Sequence, residues 1–133
     1  MARQRMTRLE RWILGVSVGA GVLLTVIGVR YALVPESAAR TFGVPGRPTG
    51  YELYSIIALR NVWLGALAIG FALLRQWRAL ALWFAIGTIV CFADGAIAAS
   101  STGRVPQVAF HIVCGFGCAV LAAATWRLGA RER

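Results

Sequence analysis

Lysine is absent from this chain of 133 residues, and acidic residues number only five. All fourteen basic residues are therefore arginine, and the formal net charge is +9. Nucleic-acid binders gather basic residues in patches or stripes, whereas these arginines mostly flank apolar segments. Flanking charge of this kind is typical of a protein oriented in a membrane, so we expect no nucleic-acid partner.

Cysteine is also scarce, and its three copies, Cys91, Cys114 and Cys118, all lie in apolar segments. No paired framework in loops indicates a disulfide-rich protein, so we expect buried free thiols. His111, Cys114 and Cys118 share one side of a helix, and such ligands suit zinc or copper. Neither a CxxC nor an HxxxH spacing accompanies them. We therefore expect no metal and, since no cofactor motif is present, no cofactor.

Apolar residues are plentiful: 59% of the chain is hydrophobic and the mean hydropathy is +0.69. Four stretches approach the ~20 residues that cross a bilayer, at about 12–34, 53–74, 79–99 and 107–126. The connections are short, as between antiparallel neighbours in a bundle. We predict one transmembrane domain over residues 1–133, an all-α integral membrane four-helix antiparallel bundle. The first stretch exceeds the apolar core of a signal peptide, so we interpret it as a retained helix.

The longest connection carries signals of a further short helix. Pro35 suits the first position of a helix, Glu36 suits the positive end of its dipole, and Gly43 suits its termination. These signals predict a short interfacial helix between helices one and two, followed by a turn at 45–48.

Orientation follows from the distribution of arginine. One group of segments, the N-terminal arm, the 75–78 turn and the C-terminal tail, holds nine: Arg3, Arg5, Arg8, Arg11, Arg75, Arg78, Arg127, Arg131 and Arg133. The other two loops hold Arg40, Arg47 and Arg104. The positive-inside rule then predicts a multi-pass protein of the cell membrane with both termini in the cytoplasm.

Small residues form strips on the first two spans, as where helices approach closely in lipid. Helix one has Gly15 and Gly19 on one side and Gly21, Thr25 and Gly28 on another; helix two has Asn61, Gly65, Ala68 and Ala72. Two such sides on helix one predict contacts within the bundle and leave a homo-oligomer open.

Four ionisable side chains lie in the outer half of the spans: Arg30, Arg60, Asp94 and His111. An Arg or Asp at mid-helix costs about 2.5–3.5 kcal/mol on insertion scales. We therefore expect Arg60 and Asp94 to point into the bundle and neutralise each other. Together the helices would enclose a polar pocket that opens outward.

We predict that Asp94 and His111 form an acid–base pair, since imidazole exchanges protons near neutrality, and that Arg60 sets the charge of Asp94. The predicted substrate-binding residues are Arg30, Glu52, Tyr54, Asn61 and Trp63. Other interpretations remain open. Arg60 and Asp94 also suit a structural ion pair, and His111 suits a packed histidine bonded to Asp94 or to a carbonyl.

At these residues the chain resembles a family of small four-helix membrane proteins, the domain of unknown function 4267. The shared pattern, over about residues 20–125, is Gly28-x-Arg30, Pro35, Phe42-Gly43-Val44-Pro45, Arg60-Asn61, Gly65, Asp94-Gly95 and His111. In its hydrophobic layout the chain is also similar to the broader DoxX-like group. The resemblance implies a four-helix membrane bundle and points to the same four ionisable residues, but it implies no reaction.

The leading functional hypothesis is a membrane enzyme that performs acid–base chemistry on a lipophilic small molecule, as an isomerase, a cyclase or an epoxide-opening enzyme. Its expected partners are that substrate and membrane lipid. The alternative is a non-catalytic structural or accessory membrane subunit. A third hypothesis is a small proton-linked transporter.

Overall fold

Helices make up all of the regular structure in residues 6–45 and 50–131, which the computed structural model describes. They are α1 (Arg8–Leu33), α2 (Pro35–Phe42), α3 (Glu52–Leu73), α4 (Trp77–Ser101) and α5 (Val105–Arg131). No strand occurs in these two ranges, and the predicted all-α class is confirmed. Most of the turn expected at 45–48 lies outside the described residues, as do Arg3, Arg5, Arg47 and Arg133.

Four of the five helices, α1, α3, α4 and α5, are long and apolar enough to cross a membrane. At most 28% of the most apolar window of each is buried, so most apolar side chains face outward, as in a multi-pass membrane protein. Two ends differ from the predicted spans by four residues or more. α1 begins at Arg8 rather than at 12, and α5 continues to Arg131 rather than to 126. The helical backbone continues past the apolar residues that a hydropathy pattern detects.

The short helix predicted between the first two spans is α2. Pro35 occupies its first turn, and Gly43 ends it with φ of 109°. The amide of Gly43 donates to the carbonyl of Ala39 over 3.1 Å. Few residues other than glycine adopt a positive φ without strain, so the sequence ends α2 at this point.

The four long helices pack as two pairs, α1 with α3 and α4 with α5, and the pairs touch each other far less. Glycines allow the close approach of α1 and α3. A Cβ atom on Gly21 would lie 2.8 Å from the carbonyl oxygen of Gly65, and one on Gly28 would lie 2.8 Å from that of Ala58. Bare backbone at both crossings therefore brings the two helices into van der Waals contact.

The pairs are joined differently at their two ends. At the turn end, which holds the α3–α4 turn at 74–76, Trp77, Leu80 and Phe84 of α4 pack with Ile13 of α1 and Leu128 of α5. The opposite end, here called the α2 end, contains α2. Its buried alanines pack with α1 and α3, and its C-terminus reaches α4 and α5. The predicted polar residues lie toward the α2 end.

Candidate functional site

His111 binds the C-terminus of α2. Its Nε2 atom lies 3.0 Å from the carbonyl oxygen of Phe42, and because a carbonyl only accepts, Nε2 donates. The imidazole also meets the Phe42 ring edge-on, with 4.5 Å between ring centroids, and only 6% of His111 is exposed. The last carbonyls of a helix lack partners within it, so His111 satisfies one of them from α5. Of the open interpretations, the bond to a carbonyl is the one that forms.

A second hydrogen bond, from the α4–α5 connection, also holds the C-terminal end of α2. Thr102 Oγ1 donates to the carbonyl oxygen of Gly43 over 2.9 Å. A Cβ atom on Gly43 would lie 2.8 Å from that of Ala98 and 3.1 Å from that of Gln107. The Phe42-Gly43 segment is thus wedged between α4 and α5, where only glycine fits, and α2 bridges the two helix pairs.

Asp94 lies on α4 beside this junction. Its neighbour Gly95 faces His111, because a Cβ atom on Gly95 would be 3.4 Å from the Cβ of His111. The carboxylate is half-buried and interacts electrostatically with His111 and Arg60 across space. Among the described residues, no hydrogen bond and no ion pair of 4.0 Å or less reaches Asp94.

The ion pair expected between Arg60 and Asp94 is therefore not formed. Arg60 is exposed on α3, and the ion pair found within residues 6–45 and 50–131 is Glu36–Arg40, an exposed pair 3.8 Å apart on α2. The reason lies in the packing. Arg60 and Asp94 belong to different helix pairs, which meet closely only at the turn end, so opposite charge alone does not bring them together.

Tyr31 belongs to this region and was missed by the sequence reasoning. It is buried on α1, its ring centroid is 5.9 Å from that of Tyr54, and it interacts electrostatically with Arg30, Arg60 and Asp94. A signal for it exists in the sequence. Tyr31 follows Gly28 by three residues, so it shares the α1 face that packs on α3.

The predicted substrate-binding residues separate into two groups. Arg30 bonds to α2, with Nη2 donating to Thr41 Oγ1 over 3.2 Å, and Tyr54 is buried against α1 and α2. Asn61 is buried on α3, whereas Glu52 and Trp63 are exposed, Trp63 by 50%. The structure therefore gathers Arg30 and Tyr54 around α2.

The three cysteines are free thiols. No cluster of three or more His, Cys, Asp or Glu side chains suited to a metal ion occurs in the part of the chain that the structure describes. The polar side chains near Asp94 are instead those of Arg60, His111 and Tyr31.

No curated protein and no solved structure matches the chain. One family does match. The sequence model described as "Domain of unknown function (DUF4267)" covers residues 21–126, a range that includes α2 and all the residues of the site. It follows that this multi-helix chain belongs to the family of the domain of unknown function 4267.

Proposed function

We propose that this chain is a membrane enzyme that uses Asp94 to move a proton on a lipophilic substrate at the α2 end. The observation that carries the proposal is the state of that carboxylate: half-buried on an apolar helix, with no bond or ion pair to another described residue. An acidic group at membrane depth costs about 2.5–3.5 kcal/mol on insertion scales and usually marks a functional site. Its free oxygen lone pairs suit proton transfer.

The neighbouring groups suggest distinct roles. Arg60 supplies positive charge near Asp94, which supports a carboxylate that accepts a proton and later returns it. His111 already donates to Phe42, so in this proposal it is a positioning residue that holds α2 beside Asp94. Arg30 and Tyr54 are the proposed substrate contacts nearest α2. Proton transfer of this kind serves isomerisation, cyclisation or epoxide opening.

The remaining predicted contacts, Glu52, Asn61 and Trp63, stay in the proposal as substrate-binding residues of α3. Trp63 and Glu52 are exposed and suit a substrate that approaches along α3 from the bilayer.

The proposed orientation places both termini in the cytoplasm of a cell-membrane protein. Its support is the turn end, where the described arginines Arg8, Arg11, Arg75, Arg78, Arg127 and Arg131 gather. Such an excess of arginine is typical of the cytoplasmic side. Asp94 would then face the outer leaflet, a placement that topology reporters fused to either terminus test.

The test compares cells that produce the wild-type chain, the Asp94→Asn variant or the Glu36→Gln variant at equal levels. Untargeted mass spectrometry of membrane extracts should show one lipophilic species accumulating with Asp94→Asn. Its product, of equal mass for an isomerisation or cyclisation and heavier by one water for epoxide opening, should appear with wild type. Glu36→Gln, which alters an exposed carboxylate of α2, should behave as wild type. Indistinguishable extracts from all strains, including cells without the protein, would refute the proposal.

A structural subunit is the second candidate, and the bonds at α2 favour it. His111 and Thr102 both donate to carbonyls at the C-terminal end of α2, those of Phe42 and Gly43, as expected of residues that only stabilise the fold. If Asp94→Asn lowers stability as much as loss of these bonds does and changes no metabolite, this candidate replaces the first.

A further inference from the structure

The first turn of α1 presents two arginines and a tryptophan around an open cavity at the turn end. Arg8, Arg11 and Trp12 line this cavity, whose volume is about 390 Å³. Residues three and four apart share a helix face, so Arg8 lies on the same face as both Arg11 and Trp12. Trp12 is 74% exposed, and tryptophan at the end of a span is typical of the membrane interface.

No described acidic group neutralises these arginines. Glu10 is engaged in the capping box of α1: its Oε2 accepts from the amide of Thr7 over 2.8 Å, and Thr7 Oγ1 accepts from the amide of Glu10 over 3.2 Å. The helix terminus is thus satisfied by the chain's own side chains. Neither Arg8 nor Arg11 forms an ion pair with any residue in the described ranges.

Arg78, at the same end of the molecule, provides a contrast. Its guanidinium lies 5.8 Å from the Trp126 ring centroid, and its Nε donates to the carbonyl of Gly129 over 3.2 Å. Arg8 and Arg11 of α1, by contrast, line an open cavity.

Beyond this cavity, two glycines of α1 have open space in front of them, and this strip of Gly15 and Gly19 is here called the groove. Gly15 and Gly19 follow Arg8, Arg11 and Trp12 at helical spacing. A Cβ atom on either glycine would meet nothing within 4 Å, in contrast to Gly21, whose face packs on α3. The backbone is therefore bare on this side of α1, directly below the two arginines.

We infer that the cavity and groove bind one phospholipid with an anionic headgroup. The phosphate is held by Arg8 and Arg11, because the guanidinium fork matches phosphate oxygens, and an acyl chain lies along Gly15 and Gly19. Trp12 sits at the level of the glycerol. This site is at the opposite end of α1 from Asp94 and does not depend on the proposed enzyme activity.

Charge decides between this lipid and a second copy of the chain. Packing two α1 helices through Gly15 and Gly19 is sterically attractive, but it would bring Arg8 and Arg11 of both copies together. Like charges at such distances repel. An anionic headgroup would instead be attracted to the same arginines.

Native mass spectrometry of the purified full-length chain in neutral detergent tests the inference. Phosphatidylglycerol should be retained in preference to phosphatidylcholine with the same acyl chains. The Arg8→Gln/Arg11→Gln variant should lower retention of phosphatidylglycerol by at least about tenfold, given the attraction of each arginine to an anionic lipid. The matched control is Arg127→Gln/Arg131→Gln, which removes equal charge from exposed positions of α5 near the same end and should retain the lipid.

Gly15→Leu provides a second variant that leaves both arginines in place. Because a side chain there meets no neighbour, the fold should persist while the filled groove lowers lipid retention. An equal loss of phosphatidylglycerol retention in the α5 control would show that general surface charge, and not this site, binds the lipid. Efficient competition by inorganic phosphate would indicate a free-anion site, and a dimer cross-linked through α1 would indicate a second copy. Each of these three results overturns the inference.

Discussion

At the scale of the residue, the α2 end depends on a glycine that allows close packing and on a histidine that donates a hydrogen bond to the end of α2. Gly43 combines a positive φ with contact between two helices, so both its backbone and its missing side chain are used. His111 donates to one helix carbonyl. Asp94 differs from both, because it makes no hydrogen bond and no ion pair of 4.0 Å or less with a described residue. Its presence is therefore the one that most needs a functional explanation.

Gly43→Ala should destabilise the protein by roughly 2–4 kcal/mol, since backbone strain and crowding against Ala98 add. Gly103→Ala is the matched control. Gly103 also has a positive φ, of 61°, but its nearest neighbour would be the Ala99 carbonyl at an ordinary 3.5 Å, so strain alone should cost about 1–2 kcal/mol. Unfolding with a denaturing detergent measures both. Equal losses would show that Gly43 is not wedged between α4 and α5.

At the scale of the element, α2 is the component that connects the two helix pairs at their loosely packed end. It is only eight residues long, too short to be stable as an isolated helix. Its order must come from contacts: burial of Ala38 and Ala39 against α1 and α3, and the bonds from Thr102 and His111. Loosening those bonds should therefore release α2 without unfolding the spans.

His111→Phe should expose α2 because it keeps an aromatic ring beside Phe42 but removes the Nε2–H donor. A neutral hydrogen bond contributes about 1 kcal/mol, so amide hydrogen exchange in α2 should accelerate about fivefold. Hydrogen-exchange mass spectrometry in detergent measures this. Ser100→Ala, which removes an exposed bond to Ile97 on α4, is the control and should leave α2 unchanged. Unaltered protection of α2 in His111→Phe would mean that the bond does not hold it.

At the scale of the whole molecule, the arrangement is two tight helix pairs rather than four equivalent helices. Within the α1–α3 pair, Gly65 faces Gly21 so closely that an added Cβ would lie 2.5 Å from the Gly21 carbonyl oxygen. The pairing rests on this contact and on the one at Gly28. The weak contact between pairs explains why opposite charges on α3 and α4 stay apart.

Gly65→Ala should therefore cost about 1–3 kcal/mol through overpacking. Gly70→Ala on the same helix should be neutral or stabilising by up to about 1 kcal/mol, because its Cβ meets nothing within 4 Å and alanine favours the helix. Thermal unfolding in detergent compares the two. Equal stability of both variants would show that the α1–α3 crossing tolerates separation.

The four spans and α2 were readable from the sequence, because hydropathy, proline and glycine act within a few residues of chain. Lipid also requires backbone groups to be satisfied inside each helix. The partners of the polar side chains were not readable. Arg30 bonds to Thr41, His111 bonds to Phe42 rather than Asp94, and Arg60 pairs with no described acid. Only the tertiary structure decided these partners, because they depend on which helices pack together. That packing is set by contacts between residues far apart in the sequence, such as Gly21 with Gly65.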